Sequence, residues 1–111
     1  MRYDRDRLLD ILEAIENIQK RLSHSQEDFL ADELLQVWAI HHIQIIGEAA
    51  ANLSSSLRTH YPDLPWSDIV SMRNVLVHQY FGIDPEQIWD TVTIDLPKLK
   101  HQIQAVLKDL Q

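Results

Sequence analysis

Apolar residues recur at intervals of three and four along nearly the whole chain, and that rhythm permits little besides α-helix. From Asp4 to Leu22, Leu8, Leu12, Ile15, Ile18 and Leu22 fall on one helical face. Ser23, His24 and Ser25 interrupt the pattern, and Ser25 is placed to cap the next helix. That second helix is expected from about Gln26 to Leu53. Leu30, Leu34, Trp38, Ile45 and Ala49 make one stripe on it, and Leu35, Ile43, Ile46, Ala50 and Leu53 make another beside it. A helix apolar over so wide an arc belongs at the centre of a bundle. Gly47, Ala49, Ala50 and Ala51 leave one flank thin, so another helix can approach closely there.

Ser54 to Tyr61 has room for a short helix, closed by Pro62. Pro65 suits a first helical turn, and a fourth helix is expected from about Trp66 to Phe81, with Gly82 as its stop. Asp84, Pro85 and Gln87 read as a new helix start, with Asp84 as cap. A stripe from Ile88 to Leu110 then runs to the end, with Pro97 inside it to kink or divide the helix. No strand and no repeat emerges. The expected fold is an all-α antiparallel bundle of four to six helices in a single domain over residues 1–111.

Composition narrows the function. There is no cysteine, which excludes disulfide scaffolds and thiolate metal sites. No apolar run reaches the roughly 18–20 residues of a membrane span, and the charged start leads into no signal-peptide core, so a cytoplasmic protein is expected. Ten Lys and Arg against 17 Asp and Glu give a net charge of −7. That argues against coating long nucleic acids, yet leaves room for a small site touching one or two phosphates.

The pattern breaks its own rule on the fourth helix. Trp66, Ile69, Val70, Leu76 and Val77 define its buried stripe, and Arg73 falls in the middle. A guanidinium there is costly unless paired. Tyr80 lies seven residues on, only about 20° away in projection. Beside the stripe run Ser67, Ser71, Asn74 and His78, with Asn74 and His78 at i and i+4.

This set suits an anionic transition state. Arg73 offers a permanent charge and a planar fork for phosphate. His78 titrates near neutrality, close to a helix C-terminus whose dipole favours imidazolium. Asn74 holds the imidazole or donates to a phosphate oxygen. Together they fit metal-free RNA cleavage, in which a base activates the 2′-hydroxyl and a cation stabilises the phosphorane. Arg73 and His78 are separated by about 140° and 7.5 Å of rise on one helix. Either Arg73 wraps round the helix or a two-fold dimer brings two motifs together, and the dimer is favoured because it also gives Arg73 a polar cleft to face. The Arg-x-x-x-x-His spacing alone carries little information, and an Arg on a core stripe is often only an internal ion-pair partner.

Other features have plainer readings. Adjacent His41 and His42 point about 100° apart and do not readily share a metal, so bundle-interior hydrogen bonding is expected of them. Arg58, His60, Lys98, Lys100 and His101 are the few local basic groups available to guide RNA. Trp38, Trp66 and Trp89 fit core positions. Glu48 is placed to pair with Arg73 across the bundle.

Met72-Arg73-Asn74-Val75-Leu76-Val77-His78-Gln79-Tyr80 resembles the signature of the HEPN superfamily, and the Tyr two residues after His resembles its HepT toxins. Ile46-Gly47-Glu48-Ala49-Ala50, Pro65-Trp66, Trp89-Asp90-Thr91-Val92 and Asp95-Leu96-Pro97-x-Leu99 extend the likeness over nearly the whole chain. Gln79 departs from the glycine frequent in such proteins. The resemblance implies a helical homodimer acting as a metal-independent endoribonuclease on cellular RNA, with transfer RNA a candidate target. Arg73, Asn74 and His78 take the catalytic roles. It also implies an MntA-like nucleotidyltransferase antitoxin that moves AMP from ATP onto Tyr80. No cofactor is implied; ATP is the partner's co-substrate. The other reading is a non-catalytic helical module that binds a nucleotide or a nucleotidyltransferase in the same cleft.

Overall fold

Capping side chains set the starts of four of the helices. The computed structural model describes residues 2–22, 25–78 and 84–110, with side chains described throughout except at residues 2 and 74–78. Helix α1 spans Arg2–Arg21. Ser25 then accepts a hydrogen bond from the Asp28 amide at 3.1 Å and starts α2, Gln26–Ala31.

The long helix expected from Gln26 to Leu53 is divided. Asp32 leaves helical geometry and ends α2. Its carboxylate accepts from the Leu35 amide at 3.0 Å, which starts α3, Glu33–Ala51. The Gln36 amide donates to the carbonyls of Phe29 and Leu30 and so satisfies the orphan acceptors at the break. The break frees α2 to swing its Phe29 against Trp89, with ring centroids 5.4 Å apart.

Helix α3 is the centre of the bundle, packed against both α1 and the fifth helix. Leu35, Ala39, Ile43, Ile46, Ala49 and Ala50 are buried along it. Leu34, expected in its apolar stripe, is instead 83% exposed, and Val37 is half out in solvent. Facing it, α1 buries Leu8, Ile11, Ala14, Ile15 and Ile18. Full burial of each large aliphatic contributes about 1.5–3 kcal/mol.

Short α4, Ser55–His60, is capped by Ser54, whose hydroxyl accepts from the Leu57 amide at 3.1 Å. Ser54 is itself anchored by the buried carboxylate of Asp4, which accepts from its amide at 2.8 Å and its hydroxyl at 2.6 Å. Helix α5, Trp66–His78, begins directly after Pro65. The Trp66 indole N–H donates to the Tyr61 carbonyl at 2.8 Å and fixes the entry to α5. The expected extension to Phe81 and the stop at Gly82 lie outside the described residues.

Asp84 caps α6, Pro85–Asp90, through the Glu86 amide. A π-helical turn, Thr91–Asp95, leads into α7, Leu96–Asp109. This turn is how Pro97 is accommodated. Proline has no amide hydrogen and its ring crowds the carbonyl four residues back, so the wider π geometry just before it lets the rod continue. The α7 face carrying Leu96, Leu99, Ile103, Val106 and Leu107 closes the core, packed on α1. Among the described residues there is no strand, and no helix is long and apolar enough to cross a membrane.

Candidate functional site around Arg73

The site starts from a missing side chain. A Cβ on Gly47 would lie 2.6 Å from the backbone nitrogen of Arg73 and 2.9 Å from its Cβ, closer than packed atoms tolerate. Glycine therefore lets α5 settle directly onto α3 at Arg73. The thin flank read in the sequence is the contact surface between these two helices.

One residue on, Glu48 reaches back. Its Oε2 lies 3.3 Å from Nη1 of Arg73, a charge-assisted hydrogen bond across the two helices. The pair is open to water, with the Arg73 side chain 38% exposed and that of Glu48 64% exposed. Arg73 thus escapes burial on the core stripe by leaning out at the edge of the α3–α5 contact. Among the described residues one of its terminal nitrogens is engaged, and the partly exposed guanidinium offers a planar fork of donors suited to an anion.

Asn74 and His78 lie on α5, with His78 its last helical residue. Their side chains, and all of Tyr80, lie outside what the structure describes. The main chain places His78 about 7.5 Å further along the helix axis than Arg73.

Two of the basic groups expected to guide RNA have structural duties. Arg58 donates to the carbonyls of Leu53, at 3.0 Å, and Ala51, and so closes the C-terminus of α3. Lys100 donates to the Gln19 side chain at 3.1 Å, tying α7 to α1. Lys98 and His101 are exposed. Trp66 is buried, whereas Trp38 and Trp89 are half-buried at the core margin.

The paired histidines diverge, His41 exposed and His42 buried. Bundle-interior hydrogen bonding does not hold for His42, because neither ring nitrogen finds a partner among the described residues. It packs instead against the edges of Trp38 and His41, with centroids 4.4 and 5.1 Å away. Burial, aided by the neighbouring His41, pushes its pKa down, against a smaller upward pull from Glu13. The side chain is a neutral, inward-turned imidazole with no hydrogen-bonded acid–base partner among the described residues. No sequence signal distinguishes it from a hydrogen-bonded core histidine.

Comparison with known proteins gives this geometry a context. Residues 11–106 match the family model described as "Ribonuclease HepT-like". The chain is 39% identical over 108 residues to "Probable ribonuclease HepT" of Thermococcus cleftensis, covering 96% of this chain and 98% of that one. It is 35% identical over 109 residues to a protein of Caldanaerobacter subterraneus named "Putative RNase", covering 97% of each. A protein of Methanocaldococcus jannaschii with the same style of name is 34% identical over 100 residues, 89% of this chain and 92% of that one. No solved structure gives a significant match.

Proposed function

This chain belongs to the HepT-like ribonuclease family, and from that premise we propose that it is a toxin-type endoribonuclease that cuts cellular RNA without a metal ion. Arg73, Asn74 and His78 are the residues assigned to catalysis. The observation that carries the reading is Arg73 itself, seated on Gly47, anchored through one nitrogen by Glu48 and with its side chain 38% exposed.

The chemistry comes from these groups. His78 takes the proton of a ribose 2′-hydroxyl, and the freed oxygen attacks the adjacent phosphorus. Charge accumulates on the phosphorane oxygens, where the Arg73 guanidinium is most strongly attracted. Asn74 steadies the imidazole or a phosphate oxygen. The bond to the 5′-oxygen breaks, and that oxygen collects a proton from solvent. The products are a 2′,3′-cyclic phosphate and a 5′-hydroxyl.

A homodimer completes the site in this reading. Leu34 and Val37, both exposed, share a helical face of α3 with His41 and Glu48, so an exposed apolar pair and the carboxylate partner of Arg73 lie along one side of the helix. Burying that face against a second copy would place two motifs in one cleft.

Control would come through Tyr80 and an MntA-like nucleotidyltransferase antitoxin. The Tyr80 hydroxyl loses its proton to solvent as its oxygen attacks the α-phosphorus of ATP, and pyrophosphate leaves. The AMP phosphate so attached near Arg73 would occupy the place of the substrate phosphate.

The test uses protein made without its partner and confirmed unmodified by intact mass, incubated in EDTA with total RNA and separately with transfer RNA. Fragments ending in 2′,3′-cyclic phosphate support the reading. Intact RNA in the presence of folded, unmodified dimer contradicts it and favours a binding module. The fragments themselves name the RNA class.

A further inference from the structure

Between α5 and the rod built by α6 and α7 lies a cavity of about 520 Å³, in the size range of small-molecule sites. Its floor is apolar, formed by the buried side chains of Ile43, Ile69, Ile88 and Leu99. Its walls are charged. Asp68 stands on the α5 side and Asp95 on the opposite rod, where α7 begins. Asp63 and Lys98 complete the rim, so three carboxylates face one ammonium.

None of these four side chains makes an ion pair or hydrogen bond among the described residues. A phosphate or carboxylate ligand would meet repulsion at the rim, and a purely apolar one would leave the carboxylates without a counter-charge. A molecule that pairs an apolar body with a cationic head meets both halves of the cavity.

We propose that this cavity binds an amphipathic amine, with its hydrocarbon body on the Ile69–Leu99 floor and its ammonium between Asp68 and Asp95. The occupant is a small molecule, because a cavity of about 520 Å³ is in the size range of small-molecule sites. The site is independent of the ribonuclease reading and uses none of its catalytic residues.

Three probes of one length separate the contributions: hexylamine, 1-hexanol and hexanoate, titrated into the ¹⁵N-labelled full chain and followed by amide shifts. Hexylamine is expected to bind saturably, with shifts clustered around Ile69, Ile88 and Leu99. Hexanol should bind about tenfold more weakly, and hexanoate should give no saturable shift. The double variant Asp68→Asn with Asp95→Asn should bring hexylamine down to the level of hexanol. Both positions are exposed and without side-chain partners among the described residues, so its melting temperature serves as a control for folding. Hexylamine binding no tighter than hexanol overturns the proposal, as do shifts scattered over the acidic surface. Unchanged hexylamine affinity in the double variant, or no saturable binding at all, overturns it equally.

Discussion

Gly47 and Arg73 touch backbone to backbone: the space where a Cβ on residue 47 would sit is occupied, at 2.6 Å, by the amide nitrogen of Arg73. The catalytic candidate is therefore positioned by an absence on the neighbouring helix. Gly47→Ala forces α3 and α5 apart by a few tenths of an ångström or more. Overpacking of this kind costs about 1–3 kcal/mol, against about 1 kcal/mol gained from alanine's better helix propensity. A lower melting temperature together with a loss of RNA cleavage is expected, read by thermal denaturation and a cleavage assay on the same sample.

Glu48 gives the complementary case. Its bond to Arg73 is solvent-exposed at both ends, so Glu48→Ala should change stability by less than about 1 kcal/mol. Cleavage should fall all the same, because the guanidinium loses its anchor. Urea unfolding paired with initial rates separates the two effects.

Asp4 holds the start of α4 from fifty residues away. Asp4→Ala removes the acceptor for both the amide and the hydroxyl of Ser54, and Ser54 in turn caps α4. With two hydrogen bonds to a charged group at about 1.5–3 kcal/mol each, a loss of roughly 3 kcal/mol or more is expected in urea unfolding.

These residues also mark what the sequence discloses. Helical periodicity, the caps at Ser25 and Asp84, the thin flank at Gly47 and the Glu48–Arg73 pair all rest on short-range spacing or simple facing of helices, and all appear in the structure. The break at Asp32 is hidden because the apolar rhythm continues across it in phase. Only the ability of an Asp side chain to cap a new helix hints at it. The burial of Asp4 depends on a partner far along the chain, which no local pattern reports. Leu34 reads as core and lies outside, since an apolar stripe does not say which of its neighbours will arrive to cover it. For the candidate site, Arg73 and Glu48 are legible as a pair, whereas the places of the Asn74 and His78 side chains and of Tyr80 lie outside the described residues.

His42 links stability to pH. Burial holds its pKa below the ordinary value of 6.5. The unfolded chain takes up a proton there as pH falls through that value, while the folded state still excludes it. The contribution is thus complete above about pH 6.5 and is lost as pH drops towards the folded value. His42→Leu removes both unpartnered nitrogens, whose burial costs about 1–3 kcal/mol. The variant should match or exceed wild type at neutral pH and lose less stability between about pH 7 and pH 5.5. Urea midpoints at the two pH values check both statements.

The most direct test of the site is cleavage by three proteins side by side: wild type, Arg73→Ala and His78→Ala, all unmodified, with matching circular dichroism and matching oligomeric state. Wild type should cut RNA in EDTA, and each variant should lose roughly 10²–10⁴-fold in rate, the range expected for removal of a general base or of the principal charge on the phosphorane. Equal cutting by all three would place the chemistry elsewhere and contradict the assignment of Arg73 and His78.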